Sequence, residues 1–509
     1  MRNRYLYITL LAVLGWNTES TAQNGTKQVP RLVVNITIDQ LCSDYLESYA
    51  PYYGANGFKK LLAQGLVYEN ASYPFVSPDK ASAISTLITG TTPSYHSIIA
   101  EQWLDKSSLR PIQCTENPLQ PDVPSPVQLA VSTLGDELKI ATQGEAKIFA
   151  ISPFKDMAVL SAGHAADGAV WMNERTGQWT HSQYYSNITP QWLLSFNELR
   201  NTNEKAKKKE WQPLIIQKKP EFKHIFKSNR RYQEYQTSGL INADITELAL
   251  ACVSQQDMGM DDTTDLLCIT YYAGHFDHKP VTECQKELED TYIRLDKELE
   301  NLMTRLESRI GKEGLLFIIT STGYSDPDGI DYAKYRIPTG IFYINRTANL
   351  LNMYFGALWG QGRYVETCYD NQLFLNHKLL ESKRISMKDA SQHAQEFISQ
   401  MSGVRNVYTS LHLLNSSNDQ LFKVRNSFNP QRNGDILIEV APGWHLQNED
   451  TNYDRLSQAS APIFPIIIYG AGIQAARVQM PVTTDRIAPA IAKTIHIRAP
   501  NACTAEPLF

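Results

Sequence analysis

Five short apolar runs, at 32–38, 147–151, 266–270, 315–320 and 464–469, are spaced along the chain with helical patterning between them. A strand that is apolar on both sides of its pleat is buried on both faces, and such strands belong to parallel sheets covered by helices. The clearest helix, from 284 to 310, lies between the third and fourth runs. Its Leu288, Tyr292, Leu295, Leu299, Leu302 and Leu306 recur at spacings of four and three, which places them on one face. A parallel connection needs a crossover of this kind, so the helix is read as core and not as a coiled-coil seam. The predicted fold class is α/β, a mostly parallel central sheet with helices on both faces.

The first run ends in Asp39, a carboxylate delivered to the carboxyl edge of the sheet, where open α/β folds build their sites. A length of 509 residues allows about three domains. One α/β domain over 23–509 with two insertions explains the pattern better. Residues 171–239, rich in Asn, Lys, Gln and aromatics, read as a cap over the carboxyl edge. Residues 330–445 read as a second subdomain, with strands at 340–344 and 435–438 and a helix near 386–402. There is no internal repeat.

Arg2 and Arg4 precede an apolar stretch over 5–16, and Ser20-Thr21-Ala22 offers small residues at the cleavage positions, so residues 1–22 read as a secretory signal peptide. The apolar stretch is short of the roughly 20 residues that a membrane span needs. No later segment is apolar enough, and the expected location is the periplasm. The net charge is −5, and the densest basic run, 205–209, is broken by Ala206 and followed by Glu210. That pattern suits a solvated loop, and no nucleic-acid partner is expected. Seven cysteines show no metal-ligand spacing. Export permits disulfides, but their odd number leaves one thiol unpaired within the chain.

The run Ser77-Pro78-Asp79-Lys80-Ala81-Ser82-Ala83-Ile84-Ser85-Thr86-Leu87-Ile88-Thr89-Gly90 resembles the nucleophile segment of the alkaline phosphatase superfamily. The likeness is to secreted, single-chain bacterial phosphatases that are similar to nucleotide pyrophosphatase/phosphodiesterases. It continues through Gly57-Phe58, Lys155-Asp156, the stretch from Ala162 to Gly168, and Pro500-Asn501-Ala502-Cys503. It implies an alkaline-phosphatase-like core and two zinc ions. In that family a Thr or Ser stands ten positions before the Gly of the Thr-Gly pair. Here that position holds Lys80. A protonated ammonium has no lone pair to offer zinc or phosphorus.

The resemblance also implies the positions of the metal ligands. Asp39 matches the first ligand and is kept. The Asp and His of a later pair fall on Tyr271 and His275, an adjacent Asp-His pair on Thr322 and Gly323, and the final His on Ile463. Asp39 and His275 are the family ligands that remain. The phosphate-binding Asn corresponds to Glu101, and a Lys-x-Arg pair to Lys155 and Met157. His275, Asp277 and His278 form a small cluster of ligand types, readable either as a site for a different ion or as solvated loop residues. Asp326 and Asp328 read as turn formers around Pro327 and Gly329, and His164 and Asp167 as scaffold.

The expectation from these losses is a catalytically inactive exported protein that binds or scaffolds an unidentified partner, with no catalytic residue or metal ligand assigned and no cofactor expected. The alternative is an active metal-dependent phosphomonoesterase or phosphodiesterase.

Overall fold

The computed structural model describes residues 29–200, 210–216, 219–327, 329–415, 418, 421–459 and 461–509. The expected signal peptide, the basic run and Asp328 lie outside them. A ten-stranded sheet organises the molecule. Its strands are β1 (Leu32–Asp39), β2 (Leu66–Ser72), β3 (Ile148–Ser152), β4 (Gly168–Met172), β5 (Trp179–His181), β6 (Asp265–Tyr272), β7 (Leu315–Ser321), β8 (Phe464–Gly470), β9 (Ala476–Val478) and β10 (Val482–Thr483). Across the sheet they run β9-β2-β8-β7-β1-β6-β3-β4-β5, with β10 also pairing with β2.

The centre is parallel, β7, β1, β6, β3 and β4 in spatial order. Strand β8 runs antiparallel to both β7 and β2, and β5 runs antiparallel to β4. The sheet is therefore mixed, and the run at 464–469 is not one of its parallel strands. An apolar run that is buried on both faces does not encode its direction. All eight residues of β1 are buried, as its position between β6 and β7 requires.

Four helices matter most for the site and core: α1 (Lys80–Thr89), α2 (Lys155–Ala162), α3 (Ile241–Gln255) and α4 (Val281–Ile310). Helix α1 is set by a capping box in which Asp79 and Ser82 satisfy each other's backbone N–H groups. It stops at Gly90 in the left-handed region (φ 64°), where a Cβ would lie 2.7 Å from Cys503 Sγ. Helix α4 bends at Cys284, whose φ and ψ of −135° and 26° are not helical. From there the leucine face packs into the core, and its six predicted residues are all 1% exposed or less.

Residues 171–239 carry the end of β4, all of β5, the helix Gln191–Arg200 and the helix Arg231–Gln236. Residues 340–448 form a four-stranded and most of a three-stranded sheet around their own apolar cluster, with Phe342, Phe355, Ile398 and Ile436 at its centre. The expected helix there is Met387–Ser399. All seven cysteines are free thiols. Among the described residues no helix is long and apolar enough to cross a membrane. Leu295→Ala, which empties a fully buried position on α4, is predicted to destabilise the fold by about 2–5 kcal/mol, measurable by denaturant titration.

Candidate functional site

The carboxyl ends of β1, β6 and β7 converge with the N-termini of α1 and α2. Asp39 closes β1 and is fully buried. Its Oδ1 accepts a 2.9 Å hydrogen bond from the Thr322 hydroxyl. Its Oδ2 accepts no hydrogen bond among the described residues and faces Lys80 Nζ at 3.5 Å. Lys80 is the first residue of α1, and its ammonium also lies 4.2 Å from the centre of the Phe154 ring. Burial works to lower the Lys80 pKa, but the charges of Asp39, Glu101 and Asp326 outweigh it and raise it above the ordinary value.

The turn after Asp39 is held by a clamp. Gln40 sits at φ 64°, unusual for a residue with a Cβ, and donates its backbone N–H to Thr322 Oγ1 at 3.1 Å. Its side chain exchanges two hydrogen bonds with Asp326, Nε2 to Oδ2 at 2.8 Å and the Asp326 N–H to Oε1 at 2.9 Å. Tyr324 and His278 also donate to the Asp326 carboxylate, at 3.0 Å each. Burial pushes the Asp326 carboxyl up, but His278 and Gln40 more than offset it and hold it below the usual carboxylate range. Asp326, expected as a turn former, is therefore also the buried hub of the loop after β7. Gly323 belongs to the same loop, at φ 63°, and a Cβ there would stand 2.7 Å from the Tyr73 ring.

The other sequence-predicted residues separate. Tyr271 points into the core, where its hydroxyl meets Thr246 Oγ1 at 2.9 Å. Ile463 is 56% exposed and contributes its backbone carbonyl to the Ser43 N–H. His275 Nδ1 bonds the Lys279 carbonyl at 2.9 Å, Asp277 takes Arg230 at 2.9 Å, and His278 goes to Asp326. The three ligand types of that cluster thus have three different partners. His164 and Asp167 hold backbone and neighbouring charges away from the site, His164 on Asp136 at 2.8 Å and Asp167 on the Ile148 N–H at 2.7 Å.

In front of Lys80 opens a cavity of about 710 Å³. Lys80, Glu101, Lys155 and Met157 line it together with Trp171, Arg175, Arg230 and Thr237 from residues 171–239. Lys155 begins α2 and pairs with Asp156 at 3.4 Å. The Glu101 N–H donates to Asp79 Oδ2 at 2.5 Å, while its side chain opens into the cavity. Desolvation raises the Glu101 carboxyl to about 7, with the Asp79 carboxylate adding to the shift and Lys80 opposing it. Gln40 and Arg230 were not legible as site residues. The first adjoins Asp39 but carries no charge, and the second arrives from a distant segment.

The family model described as type I phosphodiesterase / nucleotide pyrophosphatase matches residues 33–460. The chain belongs to that family. It is 27% identical to the alkaline phosphatase PhoV of Synechococcus elongatus, over 93% of this chain and 91% of the relative. It is also 27% identical to the alkaline phosphatase PafA of Elizabethkingia meningoseptica, over 94% of each. The crystal structure of wild-type PafA superposes with a TM-score of 0.79 at 24% identity, covering 94% of this chain and 98% of that one, and shows the alkaline phosphatase fold.

These relatives overturn the expectation of a catalytically inactive binding or scaffold protein. They match this family member nearly end to end and bear enzyme names. They equally overturn the expectation that no cofactor is required, because alkaline phosphatases are zinc-dependent. The family's pair of zinc ions, however, does not fit the residues at Asp39. Zinc needs three or four N, O or S donors converging on one point. Here one carboxylate oxygen is taken by a hydroxyl, the other faces an ammonium, and Tyr271, His275 and Ile463 are engaged elsewhere or exposed. Among the described residues, no group of three or more His, Cys, Asp or Glu side chains is placed to hold an ion.

Lys80→Met is predicted to cost about 3 kcal/mol or more, because it strands a buried carboxylate. Asp39→Asn in the same chain is predicted to recover part of that loss. A denaturant double-mutant cycle reads the coupling, and strictly additive effects would refute it. A second prediction concerns Glu101. A carboxyl raised in the fold contributes stability at low pH that is lost as pH rises from about 4.5 through about 7. Melting curves of Glu101→Gln are therefore predicted to show a gain over wild type that grows from pH 4 to pH 8.

Proposed function

We propose that the chain is an active hydrolase of phosphoric esters, working in the cavity at the carboxyl edge of the sheet. The observation that carries this reading is the gathering of Lys80, Lys155, Arg175 and Arg230 on the cavity wall, interleaved there with the carboxyl groups of Glu101, Asp156, Glu174 and Asp277. Lys80 and Lys155 are each the first residue of a helix, so their charges add to the partial positive charge of two helix N-termini, the first of them capped by Asp79. Arg230, which holds Asp277 at 2.9 Å, also lines the cavity with a guanidinium suited to phosphate oxygens. The alkaline phosphatase names of the relatives support a monoester, and the family description supports a diester.

On this reading the partner is a small ester and not a nucleic acid. Residues 171–239 act as a cap, since they supply much of the cavity lining. Residues 1–22 direct export to the periplasm. Lys80 stands where the resemblance places the family nucleophile. As an ammonium it neutralises a phosphate oxygen and does not attack phosphorus, so the attack falls to water. The metal requirement is the part of the relatives' chemistry that this donor set does not support, and the side chains of the cavity carry the binding and proton-transfer steps.

The test is turnover of 4-nitrophenyl phosphate and bis(4-nitrophenyl) phosphate by the full chain, with and without added zinc. Hydrolysis of at least one is expected. Lys155→Ala and Arg230→Ala should each raise KM about tenfold or more, in line with the roughly 1.5–3 kcal/mol of a hydrogen bond to a charged group. A folded protein inert toward both esters under both conditions would overturn the reading.

A further inference from the structure

Glu101 is built differently from every other acid of the cavity. Its backbone is fixed on both sides, the N–H on Asp79 Oδ2 at 2.5 Å and the carbonyl on the Cys114 N–H at 2.8 Å. Its neighbours are committed: Asp39 to Thr322 and Lys80, Asp156 to Thr115 and Lys155, Asp277 to Arg230. The Glu101 carboxyl has no hydrogen bond or ion pair among the described residues, and it borders the cavity beside Lys80. A fixed backbone with a free carboxyl suits a group that acts on something bound in the cavity.

The structure assigns Glu101, we infer, the role of proton donor to the leaving oxygen of the bound ester. This rests on the hydrolase reading above. The attacking water forms a bond to phosphorus, and the bond from phosphorus to the leaving oxygen breaks, with its electron pair going to that oxygen. The Glu101 proton passes to the leaving oxygen, and a proton lost by the water restores the carboxyl. Ester and water become alcohol and phosphate, with nothing oxidised or reduced.

The groups around Glu101 keep that proton available near neutral pH. Desolvation raises its affinity for the proton most, and Asp79 from the α1 cap, Asp156 from α2 and Asp39 from β1 add to the rise. Lys80 from α1 lowers it. Lys155, also lining the cavity, is itself paired with Asp156. Cys114, whose N–H holds the Glu101 carbonyl, is kept protonated because burial pushes its thiol up.

The experiment compares wild type, Glu101→Gln and Glu101→Asp on 4-nitrophenyl phosphate, whose leaving group needs no proton, and on phenyl phosphate, whose leaving group does. For Glu101→Gln, kcat on phenyl phosphate should fall about 100-fold or more, with 4-nitrophenyl phosphate little affected and KM unchanged. The fall of kcat above about pH 7 should disappear, and Glu101→Asp should restore part of the rate. Melting curves establish that each variant is folded, and Glu101→Ala replaces Glu101→Gln if that one is not. Equal losses on both esters, or no loss, would overturn the assignment while leaving the hydrolase reading intact. A folded wild type inert on both monoesters would overturn the assignment, and one inert on bis(4-nitrophenyl) phosphate as well would overturn both.

Discussion

The Asp39 carboxylate is fully buried at the end of the central strand, and most of the surrounding architecture answers its charge. An ionised carboxylate cannot be left in such a place without a counter-charge or donors. Lys80 supplies the charge at 3.5 Å and Thr322 the hydrogen bond at 2.9 Å. Those two partners lie on segments hundreds of residues apart in sequence, so satisfying one oxygen pair ties β1, α1 and the loop after β7 together. The Gln40 to Asp326 clamp repeats the tie one residue further along.

That arrangement explains why the cavity has the electrostatic form it does. Lys80 is committed on its inner side to Asp39 and on its flank to the Phe154 ring, which leaves its outer side facing the cavity. Asp79 is spent on the α1 cap and the Glu101 N–H. Glu101 is therefore pinned by its backbone, while desolvation, with the Asp79 carboxylate beside it, raises its carboxyl. The metal-ligand positions implied by the resemblance have been absorbed into packing: Tyr271 into the core and Thr322 into the Asp39 network.

Kinship and donor set pull in different directions. The chain belongs to a family of hydrolases, and its relatives carry phosphatase names over nearly all of its length. The residues around Asp39 nonetheless lack a family-type set of zinc donors. In the sequence, loss of familiar ligands reads as loss of activity. That step does not follow, because missing donors at named positions say nothing about the chemistry that other cavity residues support.

Period and composition determined the strand runs, the leucine face of α4 and the delivery of Asp39 to the sheet edge, since burial on one face or two leaves a direct mark on residue order. Motif order was enough to place the chain in its superfamily. Strand direction was decided only in the tertiary structure, because the apolar run of β8 reads the same whether it pairs parallel or antiparallel. Partnership was decided there too. His275, Asp277 and His278 are neighbours in sequence but diverge in space, whereas Asp326, Gln40 and His278 converge from separate loops. Side-chain chemistry is local in sequence, but the charge or donor that completes it is set by which distant segment the fold brings within hydrogen-bond reach.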